Sequence, residues 1–388
     1  TIVGGFKLKI SDVTVYKVKP RWIFVKISTD EGIEGWGEMI SGTKTETVVA
    51  GAYEIGNRLI GRNPFEIERL FQEMHRSFFR GGPINGTIVS GLEMALWDIK
   101  GKAFNVPVYE LLGGAARDKI KVYSWIGGDR PSEVAEQAQD RFDRGFTAVK
   151  MNATEELHYI DSYQKVDEVV ERVASIRERF GDAMDIGVDF HGRVHKPMAK
   201  VLAKALEPFH PMFLEEVVLP ENEEHFKEVA DSVAVPLATG ERLYTRWQFK
   251  NLFKQGTVDI IQPDVALCGG ILETRKIAAM AEAYDMAVAP HAPYGPVALA
   301  ATLQVDSCTP NVFIQEQSLG IHYNKGFDLL DFVKNKEVFQ YKDGYVDLPS
   351  KPGLGLEMDE DKIKEIAQEG LIWTNPQWKN YDGTIAEW

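Results

Sequence analysis

Apolar and polar side chains alternate along 7–18 (KLKISDVTVYKV) and 22–28 (WIFVKIS), and Thr29-Asp30-Glu31-Gly32 supplies turn chemistry before IEGWGE. Period-two patterning interrupted by turns predicts an antiparallel meander. The period then lengthens. Helical spacing predicts helices over 43–60, 64–76 and 86–104, the last with Ile88, Leu92, Ala95, Leu96 and Ile99 on one face. Pro107 and the Gly113-Gly114 pair end that stretch, so residues 1–117 are expected to form an α+β domain.

The rest of the chain follows another pattern. KIKVYSWIGG (119–128) and TAVKMN (147–152) read as strands around a first helix, PSEVAEQAQDRFDRG. Short apolar runs follow, each ending in a polar residue: DIGVDFH (Asp189, His191), MFLEE (Glu215), PLATGE (Glu241), DIIQPD (Asp264), AVAPH (His291) and VFIQE (Glu316). From Asp189 to Glu316 these ends are spaced by 26, 26, 23, 27 and 25 residues, with amphipathic segments such as 197–206 and 270–284 between them. Repeated strand-helix units of that length imply a parallel sheet covered by helices, and this many units imply a (β/α) TIM-like barrel over 118–336. The longer step from Lys150 to Asp189 holds a polar stretch, 153–165, expected as an insertion before an amphipathic helix. After Glu316 the alternation stops, and 337–388 is expected to return to the first domain.

Composition narrows the partners. The chain has 388 residues, 44% hydrophobic, with formal charge −14 and no long basic run, so neither nucleic acid nor an anionic membrane surface is an expected partner. A small anionic substrate is compatible with the acidic balance where a bound cation reverses the local field. Cys268 and Cys308 have neither pairing nor metal-ligand spacing and are expected as reduced thiols. Without an apolar leader or an 18-residue apolar run, the expectation is a cytoplasmic protein.

Residues at the C-terminal strand ends of such a barrel share one mouth. Asp189, Glu215 and Glu241 end successive strands ~4.8 Å apart, and three hard oxygen donors suit Mg²⁺. Each alone is better explained by capping a helix or by pairing with Arg193 or Arg242; three at matching positions favour a shared ion. His191, two residues after Asp189, is expected on the same side of an extended strand. Asp264 and His291, each after a proline, end adjacent strands, and a carboxylate on one imidazole nitrogen makes an oriented base of the other. Glu316 would either hydrogen-bond a substrate oxygen when protonated or buttress the metal site. Lys150 and Asn152, at i and i+2, are expected to point into the mouth and bind substrate, with a solvated lysine as the alternative. His75, His158, His210 and His225 read as surface or core residues; His195 and His322 stay unassigned. A cation, two histidines and an acidic electrophile suggest removal of a proton beside a carboxylate.

The motifs DFHGR, FLEE, TGER, QPD, APH and QEQ resemble the strand-end motifs of the enolase superfamily, mandelate racemase subgroup. PRWIFVKISTDEGIEGWGE, YSWIGGDRP, QEQSLGIHYNKG, LLDFVKNKE and the closing AEW extend the resemblance along nearly the whole chain, toward the acid-sugar dehydratases of that subgroup. The resemblance implies an enolase-type modified barrel with an N-terminal α+β capping domain completed by the C-terminal segment. It implies one Mg²⁺ per subunit, held by Asp189, Glu215 and Glu241. The reaction implied is dehydration of an aldonic acid to a 2-keto-3-deoxy acid through an enediolate, with galactonate first and gluconate or arabinonate behind it. In that scheme His291, assisted by Asp264, takes the proton, His191 protonates the departing 3-hydroxyl and Glu316 stabilises the enediolate. Substrate contacts are expected from the first domain near Trp22 and Ser41–Thr45, and the assembly is expected to be a homo-oligomer. Two positions depart from the pattern: Val217 stands where proline is usual, and Thr239 where alanine is. Racemases of the subgroup resemble one another in ending the second strand with two lysines; Lys150 and Asn152 here make a racemase less expected, and a racemase or cycloisomerase on the same scaffold stands as the runner-up among enzymes. A catalytically silent aldonate or metal binder is the alternative of a different class.

Overall fold

A computed structural model describes residues 8–42, 44–80, 82–371 and 373–387. Lys7, where the first alternating run was expected to begin, and Thr43, at the start of the first expected helix, lie outside them. Strands β1 (Ile10–Val18), β2 (Trp22–Thr29) and β3 (Glu34–Ile40) form the antiparallel meander. Helices α1 (Thr45–Gly56), α2 (Ile67–His75) and α3 (Gly82–Phe104) follow. The sheet and α3 touch along their length because β3 lacks side chains where they meet. A Cβ on Gly35 would lie 2.0 Å from the carbonyl oxygen of Ala95, and one on Gly37 1.8 Å from that of Gly91. Only glycine permits so close an approach of two backbones.

After the short α4 (Val108–Leu111), eight parallel strands alternate with helices: β4 (Lys119–Ile126), α5 (Val134–Asp143), β5 (Ala148–Asn152), α6 (Tyr163–Phe180), β6 (Asp185–Asp189), α7 (Lys196–Leu206), β7 (Phe213–Glu215), α8 (Phe226–Ala230), β8 (Leu237–Thr239), α9 (Arg246–Gln255), β9 (Ile260–Ile261), α10 (Ile271–Glu282), β10 (Ala287–Val288), α11 (Pro296–Ser307) and β11 (Gln315–Gln317). Neighbours pair in sequence from β4 to β10, and β11 pairs with β4. The ring closes where the Phe313 N–H donates to the Val288 carbonyl at 3.1 Å. The expected TIM-like barrel and N-terminal α+β domain are both present. Helix α6 begins within the stretch expected as an insertion, at Tyr163.

The C-terminal segment divides its contacts. The hairpin of β12 (Tyr341–Lys342) and β13 (Tyr345–Asp347) adds antiparallel to β4 in the barrel sheet. Helix α12 (Glu360–Ala367) lies against β1, and Glu360 accepts from Tyr16 Oη at 2.7 Å and from Lys26 Nζ at 2.8 Å. Two buried carboxylates of the first domain cap barrel helices. Glu38 accepts from the N–H groups of Gly295, Val297 and Ala298 at the start of α11 (2.6, 3.1 and 2.9 Å). Glu93 does the same for Ile271 and Leu272 at the start of α10 (2.7 and 3.0 Å). Among the described residues no helix is long and apolar enough to cross a membrane.

Candidate active site

The polar strand endings converge. Register pairs Asn152 with Asp189 across β5 and β6, and Asp189 with Glu215 across β6 and β7. Asp264 and His291 form an isolated parallel bridge just beyond β9 and β10. Asp189, Glu215, Glu316 and Lys150 are fully buried, and Glu241 is 8% exposed. The carboxylates pay a desolvation cost that each neighbour modifies. Burial raises Asp189 above its ordinary range, burial and the adjacent Asp189 carry Glu215 to about 7, and burial with Glu216 carries Glu241 to about 8.

His191 reaches this cluster by a route other than strand alternation. Strand β6 ends at Asp189 and His191 sits at φ +52, a left-handed turn. Its own N–H donates to Asp189 Oδ1 at 2.6 Å, and its Nδ1 lies 3.1 Å from Asp189 Oδ2 and 3.9 Å from Glu241 Oε1. The turn, rather than an extended i, i+2 step, puts the imidazole beside the acid. Burial lowers His191 to about 4, so the ring is neutral here.

The second histidine is held differently. His291 Nδ1 lies 2.7 Å from Asp264 Oδ2, while Asp264 Oδ1 accepts from the Ala266 N–H at 2.7 Å. His291 Nε2 is 3.5 Å from Glu241 Oε2 and 3.8 Å from Glu316 Oε2. Although burial pushes this ring down, Glu241, Glu316 and Asp264 together carry it up to about 10. The two imidazoles thus approach different oxygens of the Glu241 carboxylate.

Glu316 is an acceptor throughout: Oε1 takes Trp125 Nε1 at 2.6 Å and lies 3.0 Å from Lys150 Nζ, and Oε2 takes the Ala292 N–H at 2.7 Å. Despite its burial, Lys150 and His291 hold it down at about 2. The protonated Glu316 that would donate to a substrate oxygen is therefore absent from this arrangement. Lys150 is neither solvated nor directed at an open mouth; its ammonium lies 2.8 Å from both oxygens of Glu215. Asn152 is 2% exposed and donates to the Gly128 carbonyl at 3.4 Å.

The donors brought within 4.8 Å of one another are those of Asp189, His191 and Glu241. Glu215 adjoins them but is engaged by Lys150 and by Gln262 Nε2 at 2.8 Å. Lysine pairing could not be read from strand spacing, which explains the difference from the expected trio. A divalent cation still fits: among the described residues Glu241 Oε2 is buried with no hydrogen-bond partner, and the donor atoms of Asp189, His191 and Glu241 crowd together there. Both arginines named as rival partners have partners outside the expected trio. Arg242 Nε pairs with both oxygens of Glu216 at 2.9 and 3.0 Å, and Arg193 donates to the Asp129 carbonyl at 2.5 Å.

From the first domain, Trp22 does not reach the mouth. It is buried, edge-on to Phe332 at 5.7 Å. Its neighbour Arg21 does: the guanidinium donates to the Pro293 carbonyl and lies over Tyr294 and Tyr323, 5.4 and 4.9 Å from their ring centres. Tyr294 is edge-on to His291 at 5.7 Å. Arginine beside an X-Pro turn is the only sequence signal that could have singled it out, and it is a weak one. Of the unassigned histidines, His195 stacks on Tyr159 at 3.7 Å and His322 Nε2 lies 3.3 Å from Asp129.

A closed parallel barrel whose mouth gathers buried carboxylates, a histidine–aspartate pair and a second histidine has the make-up of an acid–base active site. The chain belongs to the mandelate racemase / muconate lactonizing enzyme family of the enolase superfamily: the family's N-terminal domain matches residues 7–113, and the enolase C-terminal domain-like module matches 133–362. It is 51% identical over 382 residues to D-galactonate dehydratase of Variovorax paradoxus (strain S110), and 50% identical over 382 residues to that of Cronobacter sakazakii (strain ATCC BAA-894). Each alignment covers 98% of this chain and 100% of the relative. A crystal structure of an enolase from Agrobacterium radiobacter with sodium and L-malate bound superposes with TM-score 0.89 at 33% identity, covering 98% of this chain and 100% of that one. An enolase superfamily member from Salmonella Typhimurium gives 0.82 at 31%, covering 92% and 98%. The expected lyase class follows: the chain is a hydro-lyase of the dehydratase type.

Proposed function

We propose that this enzyme dehydrates an aldonic acid, D-galactonate foremost, to the 2-keto-3-deoxy acid. The observation that carries the reading is the Asp264–His291 pair at 2.7 Å, aimed at the same carboxylate that the second imidazole approaches. Asp264 fixes His291 with Nδ1 toward the carboxylate, so Nε2 is the atom that takes the proton beside the substrate carboxylate. His191, held by Asp189, is the group that returns a proton to the departing 3-hydroxyl. Burial keeps it neutral until an anionic substrate beside it favours the imidazolium. Lys150 keeps its ammonium between Glu215 and Glu316 and is no base, which supports elimination over racemisation.

Asp189 and Glu241, with Glu215 adjoining, are the residues that would hold Mg²⁺, one per subunit. Bound there, it would supply positive charge to a substrate carboxylate and offset the acidic field that keeps His291 protonated. The relatives named D-galactonate dehydratase support galactonate as the substrate. Incubating the enzyme and Mg²⁺ with stereoisomeric aldonates, and measuring 2-keto-3-deoxy acid, tests this. Galactonate is expected to turn over fastest. Binding without product for every isomer would leave the silent binder as the correct reading.

A further inference from the structure

The reacting groups lie almost sealed, with His291 7% and Glu241 8% exposed, so a substrate has to pass a cover. Outward from His291 come Tyr294, then Arg21 over the Tyr294 ring, then Trp373, whose ring centre is 5.8 Å from the same guanidinium. Trp373 opens the C-terminal tail, 373–387. It is edge-on to Tyr323 at 5.5 Å, in the loop that follows β11. Trp378 lies 4.4 Å from the guanidinium of Arg130, in the loop between β4 and α5. Beyond it a small hairpin pairs Lys379 with Ile385, and the Asn380 N–H donates to the Thr384 carbonyl at 2.9 Å. One short segment therefore touches loops from β4 and β11 together with the first domain. Yet it carries little core: Trp373 and Trp378 are half-buried and Tyr381 is fully exposed.

We infer that residues 373–387 are the outer wall of the active-site pocket, latched by Arg21 on Trp373 and by Arg130 on Trp378. The wall swings aside to admit an acyclic polyhydroxy acid and closes over its distal end. Half-buried rings with no fully buried side chain among the described residues 373–387 are what a segment needs to open and reclose during turnover. The substrate class rests on the aldonate reading; the wall itself does not.

The test compares the full chain with Trp373→Ala, Trp378→Ala and a chain ended after Leu371, all checked for native circular dichroism. Carbethoxylation of His191 by diethyl pyrocarbonate, followed by peptide mass mapping without substrate, reads access to the mouth, with the partly exposed His225, far along the chain from the segment, as internal control. Loss of the wall is expected to speed His191 modification at least ~5-fold relative to His225. Equal rates in all variants would overturn the wall. With galactonate, KM is expected to rise about tenfold while kcat changes less than about threefold, and an unchanged KM would overturn closure over the substrate. Should the full chain turn over no aldonate, the functional reading falls while the modification rates still decide the wall. Should the shortened chain fail to fold, Trp378→Ala, changed at a half-buried site, decides it alone.

Discussion

At the scale of single residues, the site is a problem of too much negative charge in too little water. Asp189, Glu215, Glu241 and Glu316 are all buried, with Lys150 as the ammonium between Glu215 and Glu316. The sign of the resulting pH dependence follows from three shifts in the metal-free protein. Glu215 (to about 7) and Glu241 (to about 8) are raised above the ordinary 4.5, so the folded state binds more protons than the unfolded one between those limits. Stability therefore falls as pH rises from about 4.5 to about 8. His291, raised to about 10, contributes stability that is complete below its ordinary 6.5 and lost as pH climbs toward 10. A cation binding to these carboxylates displaces their protons, so Mg²⁺ affinity is expected to increase between pH 6 and pH 8, with proton release measurable by calorimetry in two buffers. A flat affinity across that window would remove the carboxylates from the ion's surroundings. Glu241→Gln is expected to weaken Mg²⁺ binding by about tenfold or more, since a charged ligand is lost; unchanged affinity would place the ion elsewhere. His291→Asn is expected to cost ~10²–10⁴ in kcat with Mg²⁺ affinity within a few-fold of the parent. Retained turnover would take His291 out of the base role.

At the scale of elements, the strand ends were legible because a barrel repeats its unit: apolar runs that close on Asp189, Glu215, Glu241, Asp264, His291 and Glu316 recur at a steady spacing. What the period cannot encode is the path of a turn or the partner of a charge. The left-handed His191, the Lys150–Glu215 pair and the inward Trp22 with outward Arg21 depend on contacts between distant segments. The helix caps belong to the same hidden class. Glu93 lies within α3, yet its carboxylate satisfies the first N–H groups of α10 and the indole of Trp97 at 2.7 Å. Four N-terminal N–H groups of any helix need acceptors, and a side chain from another domain supplies acceptors for two of them here. Glu93→Ala strands buried donors and is expected to lower stability by ~1–3 kcal/mol in urea unfolding. A loss below about 0.5 kcal/mol, the ordinary scatter of surface substitutions, would show that water replaces the carboxylate without cost.

At the scale of the whole molecule, these caps raise the question of whether the α+β domain and the barrel are separate cooperative units. Interfaces between domains of one chain are commonly polar and loose, which would permit two transitions. Three features oppose that here. Glu38 and Glu93 cross the boundary from a fully buried position, the backbone itself bridges it where the Ala116 N–H donates to the Ser307 carbonyl at 2.7 Å, and one core cluster contains Phe24 and Leu96 of the first part with Val122 and Leu299 of the barrel. The C-terminal segment also serves both parts, with β13 on β4 and α12 on β1, so unfolding either part strips the other of a neighbour. Shared apolar burial of that kind couples the two free energies, and coupled units melt together. Scanning calorimetry in excess Mg²⁺ is expected to give one endotherm, and the Glu93→Ala variant to shift that single peak downward without splitting it. Two resolved transitions, or a Glu93→Ala shift confined to one of them, would mean that the first domain folds on its own and merely leans on the barrel mouth.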